Sequence, residues 1–136
     1  MLNSNIKILN TKQTINPKAQ NSKRYDLEER TFVFAKNTRA FIKEIPRTIA
    51  TIEDCKQLAR SSGSMGANYI EANESLSKKD FVMRVKICRK ETKETIYWLK
   101  LINTSSNLEL NNQRNNLINE ATELMKIFGA IIEKTK

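Results

Sequence analysis

Histidine is absent from the 136 residues, so the side chain that most often acts as general base or metal ligand has no representative. Cys55 and Cys88 therefore lack the imidazole that activates a cysteine nucleophile. They form no C-x-x-C pair, and each falls on an apolar helical register, as reduced core thiols do. Carboxylates remain: Glu91 and Glu94 form a Glu-x-x-Glu pair, and Glu71 lies upstream. A di-metal centre in a helical bundle needs Glu-x-x-His pairs from separate helices. The sequence thus predicts no metal, no cofactor and no catalytic residue. The acids are expected to pair instead. Glu91 is placed to reach Arg60 on the preceding helix, and Glu94 lies four residues after Lys90 and four before Trp98. The alternative is that Glu71 and Glu94 order a partner-binding face.

The stretch ARSSGSMGANYIEANES, residues 59–75, holds two of the three glycines. A phosphate-cradling loop needs glycines at set spacings, after a strand, with Lys-Ser or Lys-Thr following in the P-loop case. Gly63 and Gly66 are three apart with neither feature. Apolar and small residues instead continue at steps of three and four through the stretch: Ile52, Cys55, Leu58/Ala59, Ser62, Met65/Gly66, Tyr69. Ala59, Ser62 and Gly66 are expected to form a small-residue helix face against which a neighbouring helix packs closely.

Basic residues carry the other signal. The net charge is +9, and it is local: residues 78–103 hold eight bases against three acids, and residues 1–24 hold five bases and no acid. Uneven basicity favours a polyanion-facing surface. Lys79, Lys86, Lys93 and Lys100 recur every seven residues, about two helical turns, with Arg89 and Lys90 beside them. Such a stripe can follow a phosphate backbone. No aromatic is expected between these lysines on the stripe, which argues for recognition of folded RNA by shape and charge rather than base stacking. Tyr97 and Trp98 are adjacent, point about 100° apart and cannot both face one core. One is expected in the core and the other at an oligomer interface.

These residues need long uninterrupted helices. Only two prolines, Pro17 and Pro46, and three glycines punctuate the chain. Residues 1–24 are polar and non-periodic, read as a flexible basic arm. A bundle domain follows over 25–136. Its first helix is expected from about Asp26 to Glu44, with Leu27, Phe34, Phe41 and Ile45 inward, stopped by Pro46. The second starts near Thr51 as N-cap, with Glu53 and Asp54 in its first turn. The third starts after Ser77 as N-cap and buries Phe81, Val85, Cys88, Thr92, Thr95, Leu99 and Ile102. The fourth runs from about Leu110 to Glu133, with Leu117, Ala121, Leu124, Phe128 and Ile131 inward. The fold class is all-α, an antiparallel up-down-up-down four-helix bundle. No apolar run approaches 18 residues and no signal-peptide stretch opens the chain, so a cytoplasmic location and no membrane contact are expected.

From Asp26 to Ile102 the chain resembles a bacterial family, the four helix bundle protein or 23S rRNA intervening-sequence protein. The carriers are LARSSGSMGANYIEANES (58–75) and SKKDFVMRVKICRKETKETIYWLKLI (77–102). The family arrangement of an Arg and small residues, Asn-(Ile/Tyr)-x-Glu-(Ala/Gly), Ser-x-x-(Asp/Glu)-Phe and a later Glu maps onto Arg60, Ser64, Asn68, Glu71, Ser77, Asp80, Phe81 and Glu94. Tyr69 and Ala72 depart from many members and match a branch with NYIEA and ETxYWL. The resemblance implies a four-helix bundle, a homopentameric ring and no catalysis, with the motif residues packing and pairing helices two and three. Some such proteins are encoded in 23S rRNA gene insertions. Similar ones accompany retroelement reverse transcriptases, where a basic pentamer binds RNA and the polymerase. Two expectations follow: an RNA-binding oligomer serving rRNA or a reverse transcriptase, or a structural scaffold with no specific nucleic-acid binding.

Overall fold

The computed structural model describes residues 19–136, with side chains from 27 onward. Four helices fill it: α1 (Ala19–Lys43), α2 (Ile49–Asn73), α3 (Lys78–Leu101) and α4 (Leu108–Lys134). Each packs on its neighbour in sequence, α4 closes on α1, and the diagonal pairs stand apart. This is the up-down-up-down bundle. Most of the expected arm, residues 1–18, lies outside the described residues. Its last six positions are helical instead, because after Pro17 no breaker separates 19–24 from the periodic stretch.

Local chemistry sets the helix ends. Ahead of Pro46, the amides of Glu44 and Ile45 close the last turn of α1 on the Phe41 and Ile42 carbonyls, both at 3.1 Å. The α2 N-cap is Thr48, not Thr51. Thr51 sits one turn inside and closes a capping box: its amide donates to Thr48 Oγ1 at 3.1 Å, and its hydroxyl accepts from the Thr48 amide at 2.8 Å. Ile49 and Ala50 already form the first turn, so Glu53 and Asp54 fall beyond it. Ser77 caps α3 as expected, accepting from the Asp80 amide at 3.1 Å. Asn107 caps α4 through the Leu110 amide at 2.9 Å.

The core joins Phe34 and Phe41 of α1, Leu58 and Met65 of α2, Val85 and Leu99 of α3, and Leu124 and Phe128 of α4, with Ile102 just past α3. Several positions differ from the expected stripes, and Cys55 and Phe81 sit half-buried at the core edge. Ile52 is exposed, because Thr51, in seven-residue register with Leu58, Met65 and Ala72, holds the inward position instead. Ile132 rather than Ile131 is fully inward on α4, continuing Leu124 and Phe128 by steps of four. The buried hydroxyls of Thr31, Thr38, Thr92 and Thr95 each donate to a carbonyl four residues earlier, so these core positions leave no orphaned polar group.

The small-residue face of α2 meets α1. A Cβ built at Gly66 lands 2.8 Å from Thr31 Oγ1 and 3.2 Å from Thr31 Cβ. At Gly63 the nearest atom is the Arg39 guanidinium, 3.2 Å away, whose Nη2 also donates to the Ala59 carbonyl at 3.2 Å. Within the stretch 59–75, Gly63 and Gly66 thus mark where α1 and α2 approach closely.

Candidate nucleic-acid interface

The residues of α3 divide between two flanks. Toward α2 lie Arg84, Glu91 and Thr95. Arg84 Nη1 donates to Asn68 Oδ1 at 3.0 Å, and Thr95 Oγ1 meets Ser61 Oγ at 2.8 Å. Arg60 forks across the same seam, donating to Glu91 Oε1 at 3.2 Å and Glu94 Oε1 at 3.0 Å. Asn68 in turn donates to the Ser64 carbonyl and hydroxyl at 2.9 and 3.0 Å. Arg60, Ser64, Asn68 and Glu94 therefore belong to one polar ladder that pairs α2 with α3. Glu91 is its buried member. Glu71 is exposed and makes no ion pair among the described residues, while Asp80 and Phe81 serve the α3 cap and the core edge.

The opposite flank of α3, toward α4, carries the bases. Lys79, Lys86, Lys93 and Lys100 are all exposed, and none enters an ion pair among the described residues. Arg89 is half-buried. Lys90 is exposed, with its Nζ 4.0 Å from Glu91 Oε2. Among the described residues no α4 carboxylate forms an ion pair with these lysines. Arg114 reaches the Ile102 carbonyl, and the helical line from it through Ile118, Thr122, Met125 and Gly129 carries no carboxylate. At the start of the stripe, Lys78, Lys79 and Lys86 rim a shallow concavity floored by Val82 and Met83. Of the eight bases in 78–103, only Arg84 is turned inward to a hydrogen-bonding role.

Tyr97 changes the reading of this surface. It follows Lys93 by four residues and precedes Lys100 by three, which places it on the lysine flank, and it is 58% exposed. An aromatic is therefore interleaved after all. The seven-residue lysine repeat hid it, because a residue eleven after Lys86 returns to the same face. Trp98 points the other way, half-buried against the core, with its ring edge-on to Tyr97 at 5.0 Å between centroids and 80° between planes. The pair splits between core and solvent as their adjacency requires.

The thiols add no reactive group. Burial pushes Cys88 up to about 12, and burial followed by the Asp54 charge raises Cys55. Both stay protonated at neutral pH. Among the described residues no cluster of three or more His, Cys, Asp or Glu side chains could hold a metal ion, and no helix is long and apolar enough to cross a membrane.

A family model described as 23S rRNA-intervening sequence protein matches residues 23–130. The chain is also similar to a crystal structure, at 1.70 Å resolution, of a protein with unknown function from the S23 ribosomal protein family of Bacteroides thetaiotaomicron VPI-5482. The TM-score is 0.70 at 30% sequence identity, covering 82% of this chain and 98% of that one. No curated protein matches.

Proposed function

We infer that this chain, which belongs to the 23S rRNA-intervening sequence protein family, is a non-catalytic RNA-binding protein that meets folded RNA through the basic flank of α3. The observation that carries this is the line Lys79, Lys86, Lys93 and Lys100, exposed on one flank and, among the described residues, without ion pairs. Charge left unneutralised over about six helical turns is placed to displace counterions from a phosphate backbone. Assembly as a homopentamer, and a ribosomal or reverse-transcriptase context, belong to the same proposal.

A fluorescence-anisotropy titration of a structured RNA tests it. Affinity should fall by orders of magnitude between about 50 and 200 mM salt. Lys86, Arg89, Lys90 and Lys93 changed together to Glu should abolish binding while the helical circular-dichroism spectrum persists. Binding retained by that folded variant removes the proposal. Light scattering should give a mass five times the 15.7 kDa of one chain.

A second reading rests on exposed apolar side chains at one end of the bundle. Ile49 and Ile52 at the start of α2, Leu101 at the end of α3 and Leu108 at the start of α4 all face solvent there. Such a surface suits a protein partner, and a scaffold using it would show only weak RNA association that vanishes by physiological salt.

A further inference from the structure

We propose that Tyr97 is a stacking platform for one unpaired nucleobase, with Lys93 and Lys100 holding the phosphates on either side of it. This deepens the RNA-binding reading and rests on it. It goes beyond shape and charge: the occupant of this part of the flank is single-stranded RNA.

Three features converge on Tyr97. Its position is central, about 6 Å along the helix axis from Lys93 and about 4.5 Å from Lys100, so a base on the ring leaves its neighbouring phosphates near the two ammonium groups. Its ring is held before any ligand arrives. The edge-on contact with Trp98, itself packed against the core, restricts the ring, so less rotamer freedom remains to be lost on binding. Its phenol makes no hydrogen bond among the described residues, and more than half of the residue's surface meets solvent. Phe32 is the informative contrast. It is equally exposed at 58%, but lies on α1, and the Lys36 ammonium already sits 5.7 Å from its ring centroid. Among the described residues, Tyr97 joins an exposed aromatic ring to lysines outside any ion pair, the combination by which proteins hold single-stranded nucleic acid.

The test uses the full chain and two RNA probes carrying the same number of phosphates: a single strand of about 12 nucleotides and a blunt duplex. Tyr97→Ala should weaken single-strand binding roughly 5- to 100-fold and leave duplex binding within the error of the titration. Tyr97→Trp should retain both. Circular dichroism and light scattering on the same variants establish fold and mass. Equal loss on both probes, no loss on either, or a changed oligomeric mass for Tyr97→Ala overturns the stacking assignment. So does a wild-type protein that binds duplex but not single strand, and in that case the charge-and-shape reading stands. A wild type that binds neither probe at low salt ends both.

Discussion

Two glycines on one helix face have opposite reasons to be there, and the difference is measurable. At Gly66 an added methyl meets the Cβ and hydroxyl of Thr31, a β-branched residue whose side chain is locked by its bond to the Leu27 carbonyl at 2.9 Å. Gly66→Ala gains about 1 kcal/mol in helix propensity but forces α1 and α2 apart, a strain of about 1–3 kcal/mol. Thermal unfolding should show net destabilisation, and Gly66→Leu should not fold stably. At Gly63 the methyl meets only the mobile end of Arg39, which can swing away. Gly63→Ala should be neutral or stabilising by up to about 1 kcal/mol; equal behaviour of the two variants would sink the contact argument. Cys88 gives a pH-dependent counterpart. Its folded value of about 12 lies above the unfolded 9.0, so its contribution is complete below about pH 9 and is lost as pH rises toward 12. The stability advantage of wild type over Cys88→Ala should therefore shrink above pH 9. A constant difference would mean that the buried thiol is not what titrates.

At the level of elements, the seams were legible where spacing alone decides them. The heptad-like run from Val85 to Ile102 and the Ser77 cap follow directly from residue type and step. The α2 start was not legible to that standard, because two threonines three apart both suit an N-cap. The choice of Thr48 depends on the Thr51 hydroxyl donating to the Pro46 carbonyl at 2.7 Å, a contact made across the turn. α1 begins at Ala19 rather than near Asp26 for a related reason: 19–24 is polar enough to read as coil, and only attachment to a packed helix makes it helical. The same scale yields two predictions. Ser77→Ala should cost about 1 kcal/mol, in the range typical of N-caps, because the Asp80 amide loses its partner. In the α3–α4 connection Ser105 and Ser106 both hold left-handed backbone, with φ of 57° and 61°. Ser106→Gly should relieve about 1 kcal/mol of that strain and raise the midpoint of urea unfolding; a lowered midpoint would show that the serine conformation is locally compensated.

For the whole molecule, the ring of helices is unevenly closed. α2 and α3 share the fullest contact, reinforced by the Arg60 fork and the Arg84–Asn68 bond, whereas α1 and α4 share the sparsest. Among the described residues the α1–α4 seam has one two-point clasp: Arg30 Nε and Nη2 donate to the two Glu120 carboxylate oxygens at 2.7 and 2.9 Å. Nothing in the sequence singled out that pair, since the residues lie ninety positions apart and neither belongs to a motif. The lysine flank was visible for the converse reason, being periodic within one helix, and Tyr97 escaped notice because it belongs to the face without belonging to the period. The asymmetry sets an order of opening. α1 should be the first helix to detach, since it gives up the fewest contacts with α4 and is held to α2 largely through small residues. Native-state hydrogen exchange should show amides of α1 exchanging before those of α2 and α3. Arg30→Ala should widen that gap by about 1 kcal/mol, the upper range for a partly exposed two-point ion pair. If α1 and α3 exchange at one common rate in both proteins, the bundle opens as a single cooperative unit and the clasp is incidental. If the gap widens as expected, the α2–α3 pair is the persistent half of the molecule, and the basic flank with Tyr97 rides on its most stable helix.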